Sequence, residues 1–151
     1  MLTGGIACGL ALFGGISFQQ VGLQYTTAGK TGFITALYIL LVPIFGVFLH
    51  KKVSKRIWLG VALAEFGLYL LTITEGFTIA KGDFIVLCGT AFWAIHILII
   101  DHFAPKVDGL KMSFIQFFVA GTISALIAVF AETICFSSIL KSMGPILYTG
   151  I

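Results

Sequence analysis

Residues 28–56 read AGKTGFITALYILLVPIFGVFLHKKVSKR, and this stretch decides the fold. Between Lys30 and Lys51 lie twenty residues without a certain charge, and four cations then fall within six positions, at Lys51, Lys52, Lys55 and Arg56. An apolar run of that length matches the roughly 20 residues a helix needs to cross a bilayer. The basic cluster behind it is the pattern of a short loop on the cytoplasmic side of a membrane. The cluster is too short and isolated to be a nucleic-acid patch, so no nucleic-acid partner is expected. Pro43 lies deep in the run, where it removes a backbone hydrogen bond to Ile39 and predicts a kink.

The rest of the chain repeats this alternation. Of its 151 residues 59 % are apolar and only 10 % are Asp, Glu, Lys or Arg, against about 25 % charged in typical globular domains. A soluble domain of this size has too little interior to hide so much apolar surface. Disordered chains are polar and poor in aromatics, and this one holds 15 phenylalanines. Three cysteines, at 8, 88 and 135, make no disulfide framework. The charges that remain mark loops, and the apolar stretches between them predict an all-α, polytopic helix bundle embedded in lipid. Its five spans cover about 2–24, 28–49, 57–74, 84–100 and 112–131, with a partial sixth from 145 to 151.

With alternating spans, loops 50–56 and 101–111 share one side and carry six cations, while Lys30, Lys81 and Lys141 fall on the other. The excess places the two loops and the N-terminus in the cytoplasm, in a cell membrane. The chain opens and closes inside apolar stretches and has no basic leader at its start. That pattern creates the expectation of a segment from a longer protein.

Polar residues recur at helical spacing inside the spans. Ser17, Gln20 and Gln24 form one stripe; Thr31, Thr35 and Tyr38 a second; Glu65, Tyr69 and Thr72 a third. His96 shares a face with Gly89 and Trp93, and Ser113 with Gln116. Each Thr, Ser or Gln can be satisfied by a hydrogen bond across the bundle, yet on several helices together such residues also describe a polar pathway. Glu65 is the only charge well inside a span, where a carboxylate costs about 2.5–3.5 kcal/mol on insertion scales. It reads either as a proton-coupling or cation-binding group or as a structural, hydrogen-bonded one. Glycines and alanines at four-residue spacing in the first three spans, including Gly32, Gly60 and Gly67, predict helix-packing faces. No zinc-protease, nucleophile-elbow or phosphate-loop motif occurs, and no metal or cofactor is expected. An enzyme is not expected either.

The stretch Gly22-Leu23-Gln24-Tyr25-Thr26-Thr27-Ala28-Gly29-Lys30 through Tyr38, followed by Leu41-Val42-Pro43 and the basic loop, resembles the third and fourth helices of an EamA-type transporter of the drug/metabolite transporter superfamily. Leu59-Gly60 and Gly67-Leu68-Tyr69-Leu70-Leu71 resemble its next helix. Gly82-Asp83-Phe84 through Ala91-Phe92-Trp93-Ala94 resembles the opening of its second half. The resemblance implies ten helices in two inverted halves with a cavity between them. Residues 1–75 then correspond to the last three helices of a first half. Residues 82–151 correspond to the first two helices of a second half and the start of its third. It also implies transport of a small metabolite. The mid-span or stripe placement of Thr35, Tyr38, Glu65, Tyr69, Trp93, His96 and Gln116, as polar or aromatic residues, makes them the candidate cavity residues. Expected partners are the bilayer, that metabolite, and either another copy or the remaining part of the transporter. Two rivals are a short proton-coupled exporter that dimerises around Glu65, and a membrane subunit that only packs against a partner.

Overall fold

A computed structural model describes residues 1–72, 80–131, 140, 142–144 and 147–148 of the chain. Six α-helices account for most of it: α1 (Leu2–Leu23), α2 (Ala28–Ala36), α3 (Tyr38–Phe48), α4 (Lys55–Thr72), α5 (Lys81–Phe103) and α6 (Gly109–Ala131). No strand occurs among the described residues. Most of the expected sixth span at 145–151 lies outside them, as do 73–74 at the end of the third.

Short polar residues set the helix starts. The Thr27 side chain accepts from Lys30 N at 3.2 Å and caps α2. Asp83 accepts from the backbone N–H of Ala80 at 2.8 Å and anchors the first turn of α5. Asp108 accepts from Leu110 N and Lys111 N at 3.0 and 3.3 Å and does the same for α6. Before it, a 3-10 turn over Ala104–Lys106 holds Pro105 in its first positions, where no donor is lost.

The second span is one apolar stretch, Ala28–Phe48, in two helical pieces. The interruption falls at Leu37, six residues before Pro43, where Leu37 N reaches Ile34 O at 3.2 Å and Leu40 N reaches Leu37 O at 3.0 Å. The carbonyl that Pro43 leaves without its helical donor is that of Ile39, two residues beyond the break.

Helix α1 is the centre of the bundle. Gly4, Gly5, Cys8, Gly9, Ala11, Leu12, Gly15 and Gly22 form its buried stripe. The missing side chains let α5 and α6 approach closely. A Cβ on Gly22 would lie 2.5 Å from Val86 Cγ2, one on Gly82 would lie 2.5 Å from Gly22 O, and one on Gly89 would lie 2.8 Å from Phe18 Cβ. Pairing of Gly22 with Gly82 and of Gly4 with Phe103 makes α1 and α5 antiparallel, while Gly5 with Ile115 and Gly9 with Val119 makes α1 and α6 parallel. The packing role expected of Gly32, Gly60 and Gly67 is not seen among the described residues, where nothing lies within 4 Å of a Cβ on any of them.

Among the described residues four apolar helical stretches are long enough to span a bilayer: Leu2–Leu23, Ala28–Phe48, Lys81–Lys106 and Gly109–Ala131. Helix α4 has 18 residues, with Lys55 and Arg56 in its first turn and Glu65 in its middle. Both ends of the bundle are tied together. Lys51 pairs with Asp101, which joins loop 50–56 to the end of α5. At the opposite end the Thr26 hydroxyl donates to Asp83, and the Lys81 ammonium lies 5.8 Å from the centre of the Tyr25 ring. The two loops expected to share a side therefore do share one.

Candidate functional site

Polar side chains meet where α1, α2, α5 and α6 pass one another. His96, buried on α5, has its Nε2 2.9 Å from Oε1 of Gln116, buried on α6. Trp93, one turn before His96, meets the imidazole edge to face, with ring centroids 6.0 Å apart and planes at 87°. The indole lies over Gly15 of α1, whose Cβ would stand 3.1 Å from Trp93 Nε1. One turn further along α1, Gln19 donates through Nε2 to the Thr35 hydroxyl of α2 at 3.2 Å. Thr90 of α5 is wholly buried, and its hydroxyl lies 3.0 Å from both Ile34 O and Val86 O, which share its single proton.

The structure thus brings together Trp93, His96 and Gln116, and places Thr35 in an adjoining contact. It separates the other candidates from that cluster. Tyr38 lines a cleft of about 570 Å³ between α3, α4 and α5, with Ile39, Val42, Pro43 and Val61 in its walls and Lys51, Lys52 and Asp101 at its mouth. Glu65 faces inward from α4, with both carboxylate oxygens shielded and lacking a hydrogen-bond partner. Tyr69, one turn on, is exposed. A second, apolar hollow of about 670 Å³ flanks α3 and α5, between Phe45, Phe48, Ile95, Ile99 and Phe103.

Two contributors lie outside the expected stripes. The stripe on α1 was drawn through Gln20, which is exposed, whereas Gln19 makes the interhelical bond. The signal for Gln19 lies in the glycines, because it stands four residues after Gly15 on the buried face. Thr90 is placed by the same logic, next to Gly89 and four residues after Val86, on the face of α5 that meets α1 and α2. No group of His, Cys, Asp and Glu among the described residues is arranged to hold a metal ion.

Helices of spanning length with polar groups buried between them define a multi-pass helical membrane protein. Over residues 2–73 the chain matches the EamA-like transporter family. It is also 40 % identical over 130 residues to an uncharacterized transporter of Archaeoglobus fulgidus, an alignment covering 85 % of this chain and 42 % of that protein. No solved structure matches the chain.

Proposed function

We propose that this chain supplies the central helices of a transporter that moves small metabolites across the cytoplasmic membrane by alternating access. Its N-terminus and the loops at 50–56 and 101–111 face the cytoplasm. Residues 1–75 and 82–151 belong to opposite halves, so the contact of α1 with α5 and α6 is the interface between halves. In transporters built from inverted repeats, substrate sites lie at such an interface near the midplane.

The observation that carries this reading is the buried His96–Gln116 pair with the half-buried Trp93 beside Gly15. Polar groups at membrane depth that face the bundle interior mark solute pathways. The chain spans 42 % of the length of its relative, and we take activity to need the helices that complete both halves. Uptake and efflux of a labelled metabolite panel in proteoliposomes tests this. The complete transporter should move at least one solute, the 151-residue chain alone none, and His96→Ala in the complete protein should reduce the rate at least tenfold. Unchanged transport in that variant would sink the assignment.

The unpartnered carboxylate of Glu65 favours a second reading. In it the chain dimerises as a short proton-coupled exporter, and Glu65→Gln abolishes export by the 151-residue chain itself.

A further inference from the structure

Two nitrogens on one face of α5, Trp93 Nε1 and His96 Nδ1, are buried without a hydrogen-bond partner. The residues are three apart, their ring centroids are 6.0 Å apart, and His96 is only 6 % exposed. Their requirements are opposite. An indole Nε1–H can only donate. The other imidazole nitrogen, Nε2, faces the carboxamide oxygen of Gln116 at 2.9 Å. That oxygen accepts, so Nε2 carries the proton, and in the neutral ring Nδ1 is left as an acceptor. A buried polar atom left unpaired is costly. A donor and an acceptor one turn apart on the same helix call for one group that serves both.

We infer that Trp93 and His96 form a receptor for the hydroxyl of an uncharged solute. The hydroxyl oxygen accepts from the indole N–H and its proton is donated to Nδ1. A carboxylate or phosphate accepts from the indole but brings no proton to Nδ1, and sets negative charge against its lone pair. An ammonium donates to Nδ1 and offers nothing to the indole. Gln116 is a positioning residue, because its oxygen fixes the tautomer. The inference rests on the transport reading in one respect, that the solute reaching this site is the one carried.

The chain has two tryptophans, and Trp58 on α4 is partly exposed, so Trp58→Phe leaves Trp93 as the sole indole. In lipid nanodiscs, at a pH where imidazole is neutral, its emission is followed against three probes of similar size: erythritol, succinate and butylammonium. Erythritol should give a saturable red shift as the indole gains a hydrogen-bond partner, and succinate and butylammonium none. His96→Phe should abolish the erythritol shift, and Gln116→Leu, which frees the tautomer, should weaken it at least severalfold. Circular dichroism and gel filtration of each variant separate loss of the site from loss of the fold.

A response to succinate equal to that of erythritol overturns the inference, as does a shift that survives His96→Phe, or no saturable shift at all. Erythritol binding without uptake by the complete protein overturns the transport reading and leaves the receptor standing. Uptake of a polyol with Trp93 silent does the reverse.

Discussion

Nε2 of His96 and Oε1 of Gln116 lie 2.9 Å apart, both residues buried, and join α5 to α6. Removing one partner leaves the other unsatisfied where water does not reach, a loss of about 1–3 kcal/mol. Gln116→Leu is therefore expected to lower unfolding stability in bicelles by about that amount. A double-mutant cycle with His96→Leu should recover a coupling of about 0.6 kcal/mol, the average for hydrogen bonds between membrane helices. A coupling of zero would separate the two side chains.

The glycines of this chain divide into two classes with opposite expected responses. A Cβ at Gly82 would meet Gly22 O at 2.5 Å and Tyr25 C at 2.7 Å, both backbone atoms that no rotamer change can move aside. Gly82→Ala should cost about 1–3 kcal/mol through forced separation of α1 and α5. At Gly60 a Cβ meets nothing within 4 Å, so Gly60→Ala should be neutral or stabilising by up to about 1 kcal/mol, from helix propensity alone. Chemical unfolding of the two variants side by side measures the contrast. Equal effects would mean that the close α1–α5 approach is not present.

The Lys51–Asp101 pair fixes which loops share an end of the bundle, and charge counting assigns that end to the cytoplasm. In a variant with the three native cysteines replaced, Ser54→Cys and Asp108→Cys should resist an impermeant maleimide added to intact cells, whereas Lys81→Cys should react. A Lys51→Cys, Asp101→Cys double variant should cross-link with a short bis-maleimide. Labelling of Ser54→Cys from outside would invert the topology while leaving the fold intact.

Helix existence was legible because charges in this chain fall almost wholly between spans, and hydropathy alone then sets the boundaries to within a few residues. Pro43 announced an irregular second span but not its place at Leu37, which lies two residues before the carbonyl that the proline leaves without a donor. The polar cluster was half legible. His96, Trp93 and Gln116 stand out as polar or aromatic positions on apolar faces. Gln19 and Thr90 are marked only indirectly, by the nearby glycines Gly15 on α1 and Gly89 on α5. Gly32, Gly60 and Gly67 show the converse limit. Small residues at helical spacing state that a helix can approach there, and nothing in their pattern names the helix that does.

Glu65 supplies the sharpest test of how the bundle balances stability against function. Its two carboxylate oxygens are shielded and unpartnered. A group of this kind at membrane depth costs about 2.5–3.5 kcal/mol on insertion scales, so replacing it by an apolar residue should release part of that cost. Glu65→Leu is expected to raise unfolding stability by roughly 1–3 kcal/mol, and Glu65→Gln by less, because the amide is also left without a partner. A destabilised Glu65→Leu would mean that the carboxylate holds a partner in the folded protein. Stability gained together with transport lost would show that the carboxylate is retained at a structural cost for its function, as strained functional sites generally are. Stability gained with transport unchanged would leave transport to the cluster between α5 and α6.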